Sequence, residues 1–138
     1  MRTSLLAAAT AVAGLLGAAC ADDDAPDRTG PLALYRGEPN GDNSLTNGLL
    51  ELESGCLYVT DTAGVVRVRR LIVFAEQVTS WDPERQAVVR KGAKPLLVGT
   101  TVTVGGSEAS RGALESFHWK VRPAATCDST RMFVAGDD

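Results

Sequence analysis

Four kinds of residue in this 138-residue chain carry ligand-binding or reactive chemistry. Cys20, Cys56 and Cys127 are open to modification, cross-linking or metal ligation. Arg67, Arg69 and Arg70 form a basic cluster able to hold an anion or a partner. Trp81 and Trp119 offer flat apolar faces with one polar handle each. His118, the only histidine, is the one side chain whose ordinary pKa suits proton transfer near neutrality.

These residues do not assemble into a catalytic set along the chain. A hydrolytic triad needs a nucleophile, a histidine and an orienting acid. Ser116 lies two residues from His118, so on a strand both point the same way, without a strand-turn elbow. There is no G-x-S-x-G, no phosphate-binding P-loop and no H-E-x-x-H. Gly105-Gly106 is too short a signal for a phosphate cradle. Two cysteines and one histidine fall short of a structural zinc set, and a redox C-x-x-C is absent. Asn40, Asp42 and Asn43 offer oxygen ligands, but a calcium loop of the EF-hand type requires a central glycine where Leu45 stands. Its twelfth position, Glu51, falls on an expected strand. No metal, no cofactor and no enzymatic activity are expected. An enzyme with an unfamiliar site would need a deep pocket joining His118 to a carboxylate.

The elements that position these residues are strands. Leu50 and Leu52 alternate with Glu51 and Glu53, Ser54-Gly55 turns the chain, and residues 56–60 run back. A second turn at 61–64 leads into residues 65–74, the longest apolar run after the first thirty residues. Such a meander buries one face and sets the register of the later strands. Val66 and Val68 alternate with Arg67 and Arg69, but Arg70 then falls where an inward apolar side chain belongs. A bulge near Arg69-Arg70 would reset the phase and bend the strand toward closure. The three arginines are read either as an anion or partner contact, or as a solvated strand face paired with Glu51 and Glu53.

Around the meander the chain gives a short segment at 32–36 and a turn-rich loop at 37–47. A loop at 76–85 holds Trp81, expected over the barrel mouth or exposed as a contact. A short strand at 87–90 precedes an alternating strand at 96–104. Leu96, Val98, Val102 and Val104 share one face of the latter, and Gly105-Gly106 ends it. Residues 107–115 suit one or two helical turns interrupted by Gly112. Residues 116–122 read as a strand with Phe117, Trp119 and Val121 on one face and His118, Lys120 and Arg122 on the other. A last strand spans 131–134. Six or seven strands with almost no helix imply an all-β domain, and closure removes exposed edges. A small OB-like barrel of about six strands is the first expectation, and a small β-sandwich is the alternative.

Length and charge narrow the setting. The chain suffices for one domain, assigned to residues 32–138. Its formal charge of −3 argues against bulk attraction to nucleic acid or to anionic lipid. Arginine outnumbers lysine eleven to three and Ile72 is the only isoleucine, a bias associated with GC-rich genomes. Met1–Ser4 carries one basic residue, and residues 5–17 are an uncharged run too short to span a bilayer. Ala18-Ala19-Cys20 after this run resembles the lipobox of bacterial lipoproteins. Gly17 departs from its usual leucine, and Leu15 and Leu16 sit just upstream. An ordinary signal cut near 19–21 is the alternative. The resemblance implies a leader over residues 1–19, a lipid on the Cys20 thiol and a membrane anchor. Residues 20–31, with Asp22, Asp23, Asp24, Asp27 and three breakers (Pro26, Gly30 and Pro31), then read as a tether.

Lipidation of Cys20 leaves Cys56 and Cys127 as an even pair in an oxidising compartment. A structural disulfide between them closes a loop of roughly 70 residues, for which the chain-entropy model gives about 4 kcal/mol. Gly48-Leu49-Leu50 leading to Gly55-Cys56-Leu57 is one of the loose structural motifs of the mature chain. The others are Val73-Phe74, Val98-Gly99-x-x-Val102 before Gly105-Gly106, and Pro123 leading to Cys127. With these the chain resembles uncharacterised small lipoproteins of actinobacteria. That resemblance supports the anchor, the β-fold and the cysteine pair, and transfers no functional residue. The expectation is a non-enzymatic, lipid-anchored binding or scaffold module on the extracytoplasmic face of a bacterial membrane. Its partner would be a cell-envelope protein or glycan, contacted through Arg67, Arg69, Arg70, Trp81 and Trp119. A secreted accessory domain with protein partners only is the alternative.

Overall fold

Thr46, Gly48 and Leu50 are buried while Leu45 and Asn47 are exposed and Leu49 is half-buried, the period of two that makes a strand. This strand, β2, spans Ser44–Glu53 in a computed structural model that describes residues 30–39 and 44–136. Ser54 and Gly55 both take positive φ (52° and 77°), as a two-residue hairpin twisted like its strands requires. The chain returns as β3, Cys56–Asp61, and turns into β4, Val68–Ala75. Two further strands, β8 (Thr101–Ser110) and β10 (Arg131–Ala135), complete a ring. The order is β2-β3-β4-β10-β8 and back to β2. All neighbours are antiparallel except β4 and β10, which close the barrel in parallel through Leu71↔Met132, Ile72↔Phe133 and Val73↔Val134. This is a five-stranded, OB-like barrel, so the expected all-β barrel holds with one strand fewer in the ring.

Two glycines let the ring close tightly. A Cβ on Gly48 would stand 2.2 Å from the Thr60 carbonyl oxygen, and one on Gly106 1.9 Å from that of Val134. Gly105-Gly106 therefore does not end its strand: β8 runs on to Ser110 because the missing side chains admit the β10 backbone.

β4 is apolar on both faces because it faces two cores. Ile72 and Phe74 point into the barrel with Leu50, Leu57, Val59 and Phe133. Leu71, Val73 and Ala75 point outward with Cys56 and Tyr58 and are covered by a second layer. That layer begins with β1, Ala33–Tyr35, which lies parallel to β4 and is fully buried. It continues with a 3-10 turn over Arg111–Ser116 and β9, Trp119–Val121. A small separate sheet, β5 (Thr79–Asp82), β6 (Ala87–Arg90) and β7 (Leu96–Leu97), packs Trp81, Val88 and Leu96 against the inner core.

Several expectations change. No bulge falls at Arg69-Arg70: β3 and β4 pair without a slip from Asp61↔Val68 to Tyr58↔Leu71. The bulge is in β9, where Leu34 faces Val121 and Tyr35 faces Trp119, leaving Lys120 unmatched. Phe117 and Trp119 therefore join the outer core while Val121 joins the inner one. Val66 is exposed in the β3–β4 turn rather than inward on a strand. Residues 44–47 are strand rather than loop, the run at 96–104 is split by a turn at 98–100, and 79–82 is strand. The leader, Cys20, the tether up to residue 29, and Asn40, Asp42 and Asn43 lie outside the described residues.

Candidate functional site

The β4 alternation separates the three arginines. Residues 69 and 70 point to opposite faces of a strand. Arg70 lies on the inner-face parity at the barrel rim, where Nε and Nη2 stand 2.8 and 2.7 Å from Glu108 Oε1. Arg69 lies outside, its guanidinium carbon 3.6 Å from the centroid of the Tyr58 ring and its Nη2 paired with Glu53. A cation over an aromatic face is attracted by the ring quadrupole. Arg67 is exposed in the β3–β4 turn beside Val65 and Val66. The expected patch of three thus reduces to Arg67 and Arg69 on one face, and the Glu53 pair of the solvated reading is present.

Tertiary structure brings other groups to that face. The Cys56–Cys127 disulfide (S–S 2.05 Å, Cα–Cα 5.7 Å) ties the chain before β10 onto β3. The next residue, Asp128, donates its backbone N–H to Tyr58 Oη at 2.8 Å. Its carboxylate accepts from the Thr130 N–H at 3.0 Å. Hydrogen bonds from the Thr130 hydroxyl and backbone hold the Asp128 carboxyl below its ordinary pKa, with Arg69 and Arg111 adding to the effect. A hollow of about 300 Å³ opens here, walled by Arg67, Arg69, Arg131, Asp128 and Thr130. Asp128 also borders a second, half-open hollow of about 500 Å³ that holds Arg111, Arg122, Leu114 and Cys127. Arg122 is paired with Glu115. Arg111, Arg122, Arg131 and Asp128 carry no local signal, being scattered over twenty-one residues. The one pointer to them is the cysteine pair, since a bridge from Cys56 must bring residue 128 beside Tyr58.

The tryptophans are committed to packing. Trp81 is half-buried against the inner core and abuts Gly30, where a Cβ would lie 2.3 Å from its Cδ1. Trp119 donates its indole N–H to the Leu114 carbonyl at 2.8 Å and packs at a tilt against Phe117, with centroids 5.1 Å apart, which in turn meets Tyr35 at 5.7 Å. His118 is exposed, and its backbone carbonyl accepts from the Arg36 N–H at 2.6 Å. The nearby Ser116 hydroxyl is turned to the Ala113 carbonyl at 2.7 Å. Among the described residues no three His, Cys, Asp or Glu side chains gather as a metal site would need. Comparison of the chain with family models, with curated proteins and with solved structures finds no match.

Proposed function

We propose that the protein is a lipid-anchored, non-enzymatic binding module on the extracytoplasmic face of a bacterial membrane, holding an anionic group of a cell-envelope component. The anchor is read from the run at 5–17 and Ala18-Ala19-Cys20. A disulfide in a small barrel accords with an oxidising compartment. The observation that carries the binding reading is the hollow of Arg67, Arg69 and Arg131 on a chain of net charge −3. Only Arg69 of the three has a carboxylate partner among the described residues. Guanidinium groups lining one hollow, those of Arg67 and Arg131 exposed, suit phosphate or carboxylate, which they bind through paired N–H donors.

Two measurements test this. Intact, non-reduced mass from a membrane fraction is expected to give the chain from Cys20 plus a diacylglycerol-type lipid, two hydrogens light. A lipid-free mass in the medium refutes the anchor. Calorimetric titration with glycerol phosphate is expected to give millimolar binding that weakens with salt and is weakened by Arg131→Ser. The second reading, a secreted domain with protein partners only, draws on the exposed Val65 and Val66 at the β3–β4 tip. It predicts that Val66→Ser removes a crosslinked neighbour while Arg131→Ser does not.

A further inference from the structure

We infer that the two hollows beside Asp128 are successive subsites for one extended ligand, a polymer in which anionic groups alternate with hydroxylated carbon units. The inference rests on the anion-binding reading above and names the ligand class. Three observations carry it.

First, cations stand on both sides of one carboxylate. Arg67 and Arg131 line the smaller hollow, Arg111 lines the larger, and Asp128 borders both. Arg67, Arg111 and Arg131 are exposed and form no ion pair among the described residues, so their charge is available to a ligand. Asp128 and its neighbours join the two hollows, so the two sets of cations flank one side chain.

Second, Asp128 stays ionised, since Thr130 and the flanking arginines favour its charged form. A carboxylate at that point repels an anion and accepts a hydrogen bond from a hydroxyl. The ligand must therefore carry anion, then uncharged hydroxylated spacer, then anion. Glycerol-type or sugar phosphodiesters have this pattern, and so do acidic polysaccharides. Unbroken polyphosphate does not.

Third, both hollows are open at the surface and of a size for a sugar or polyol unit each. A polymer can lie across them without presenting an end. A single-stranded nucleic acid fits the groove less well, because its bases need aromatic platforms. Here Phe117 and Trp119 pack against each other as tilted rings and the Trp119 N–H is engaged.

The test uses the full chain in detergent and calorimetric titration with five probes: glycerol phosphate, a four-unit glycerol phosphate oligomer, a four-unit oligouronate, inorganic polyphosphate and a single-stranded DNA oligomer. Joining two subsites through one ligand is expected to tighten binding of an oligomer over the monomer by about tenfold or more. The phosphate and uronate oligomers tell the two sources of the pattern apart by which binds tighter. Arg111→Ser is expected to erase the oligomer gain, so that the oligomer binds no more tightly than the monomer. Asp128→Asn keeps an acceptor for Thr130 and is expected to raise polyphosphate affinity to that of the glycerol phosphate oligomer. Monomer and oligomer binding alike, with Arg111→Ser silent, overturn the inference and leave the anion-binding reading standing. Absence of binding by every probe overturns both. Tighter binding of a single-stranded DNA oligomer than of any of these overturns the ligand class.

Discussion

The barrel interior and the layer over its β3–β4 face both bury apolar side chains, but they hold them by different means. Inside, five strands enclose Leu50, Val59, Ile72, Phe74 and Phe133, each at most 1% exposed. Outside, the segment from residue 111 to 130 supplies a three-residue strand, a 3-10 turn with no buried residue, and Cys127. Its grip on the barrel is the disulfide, the short bulged ladder of β9 with β1, the Asp128–Tyr58 hydrogen bond, the partly buried Leu114, Phe117 and Trp119, and Val121 against the inner core. The interior depends on volume packing and continuous ladders. The covering layer depends on one covalent tie and a handful of contacts. The difference bears on function because the smaller hollow has a wall from each, whereas the larger is built almost wholly from the covering layer.

The largest expected effect comes from breaking the interior. Phe74→Ala empties a fully buried ring site, and such truncations destabilise by about 3–5 kcal/mol. Urea unfolding should show a loss in that range, whereas Phe117→Ala in the covering layer should show less than half of it. Equal losses would mean that the covering layer is as tightly packed as the barrel.

Next is the tie itself. Replacing Cys56 and Cys127 by Ser should lower stability by about 2–5 kcal/mol. Hydrogen exchange should report the distinctive part: amides of residues 119–131 lose protection while those of β2, β3 and β4 keep theirs in rank order. Loss of protection throughout would show that the barrel does not stand without its cover. The same variant should lose the tighter binding of a glycerol phosphate oligomer over the monomer, since the larger hollow is lined by the segment the disulfide ties down.

The contrast also explains what was legible in the chain. Leu50 and Leu52 alternating with glutamates, then Ser54-Gly55, announce the first hairpin, because local alternation and turn chemistry decide it. The cysteine pair is legible from parity and compartment. Residues 44–47 read as loop because Ser44, Thr46 and Asn47 are polar, yet β8 supplies backbone partners from Ser44↔Gly106 to Asn47↔Thr103. The β9 bulge is invisible locally: Trp119 and Val121, two apart and so on one face of a regular strand, reach different cores because Lys120 is left unmatched between their partners Tyr35 and Leu34. The double-sided burial of Leu71–Ala75 looks like a phase error until the covering layer is known. Of the groove, Arg67 and Arg69 were visible as neighbours. Arg111, Arg122 and Arg131 come together through tertiary contacts that no spacing encodes.

A smaller effect tests one contact within the cover. Trp119→Phe keeps most of the ring but removes the indole donor to the Leu114 carbonyl. A net loss of about 1 kcal/mol is expected, together with greater exchange in residues 111–116. No change in either would show that Leu114 finds water as readily as the indole. Arg70→Met belongs at the same scale or below, because its Glu108 partner is largely exposed and such pairs contribute about 0–1 kcal/mol.

The smallest effect lies where cover and barrel meet, at Asp128. Its folded pKa is below the ordinary value of 3.8, so the folded state favours the carboxylate. The stabilisation is complete above the unfolded value and fades as pH falls through the folded one. The stability difference between the native chain and Asp128→Asn should therefore be constant from neutral pH down to about 5. Below 3.8 it should shrink toward its uncharged value. Exposure of Asp128 to solvent keeps the change slight, so matched urea titrations at several pH values are needed to read it. Removing Arg111 as well narrows the acid window, because one cation that favours the carboxylate is gone. A difference that grows on acidification would mean that Asp128 is destabilised by its neighbours, and that the groove carries less positive charge around it than the arginines suggest.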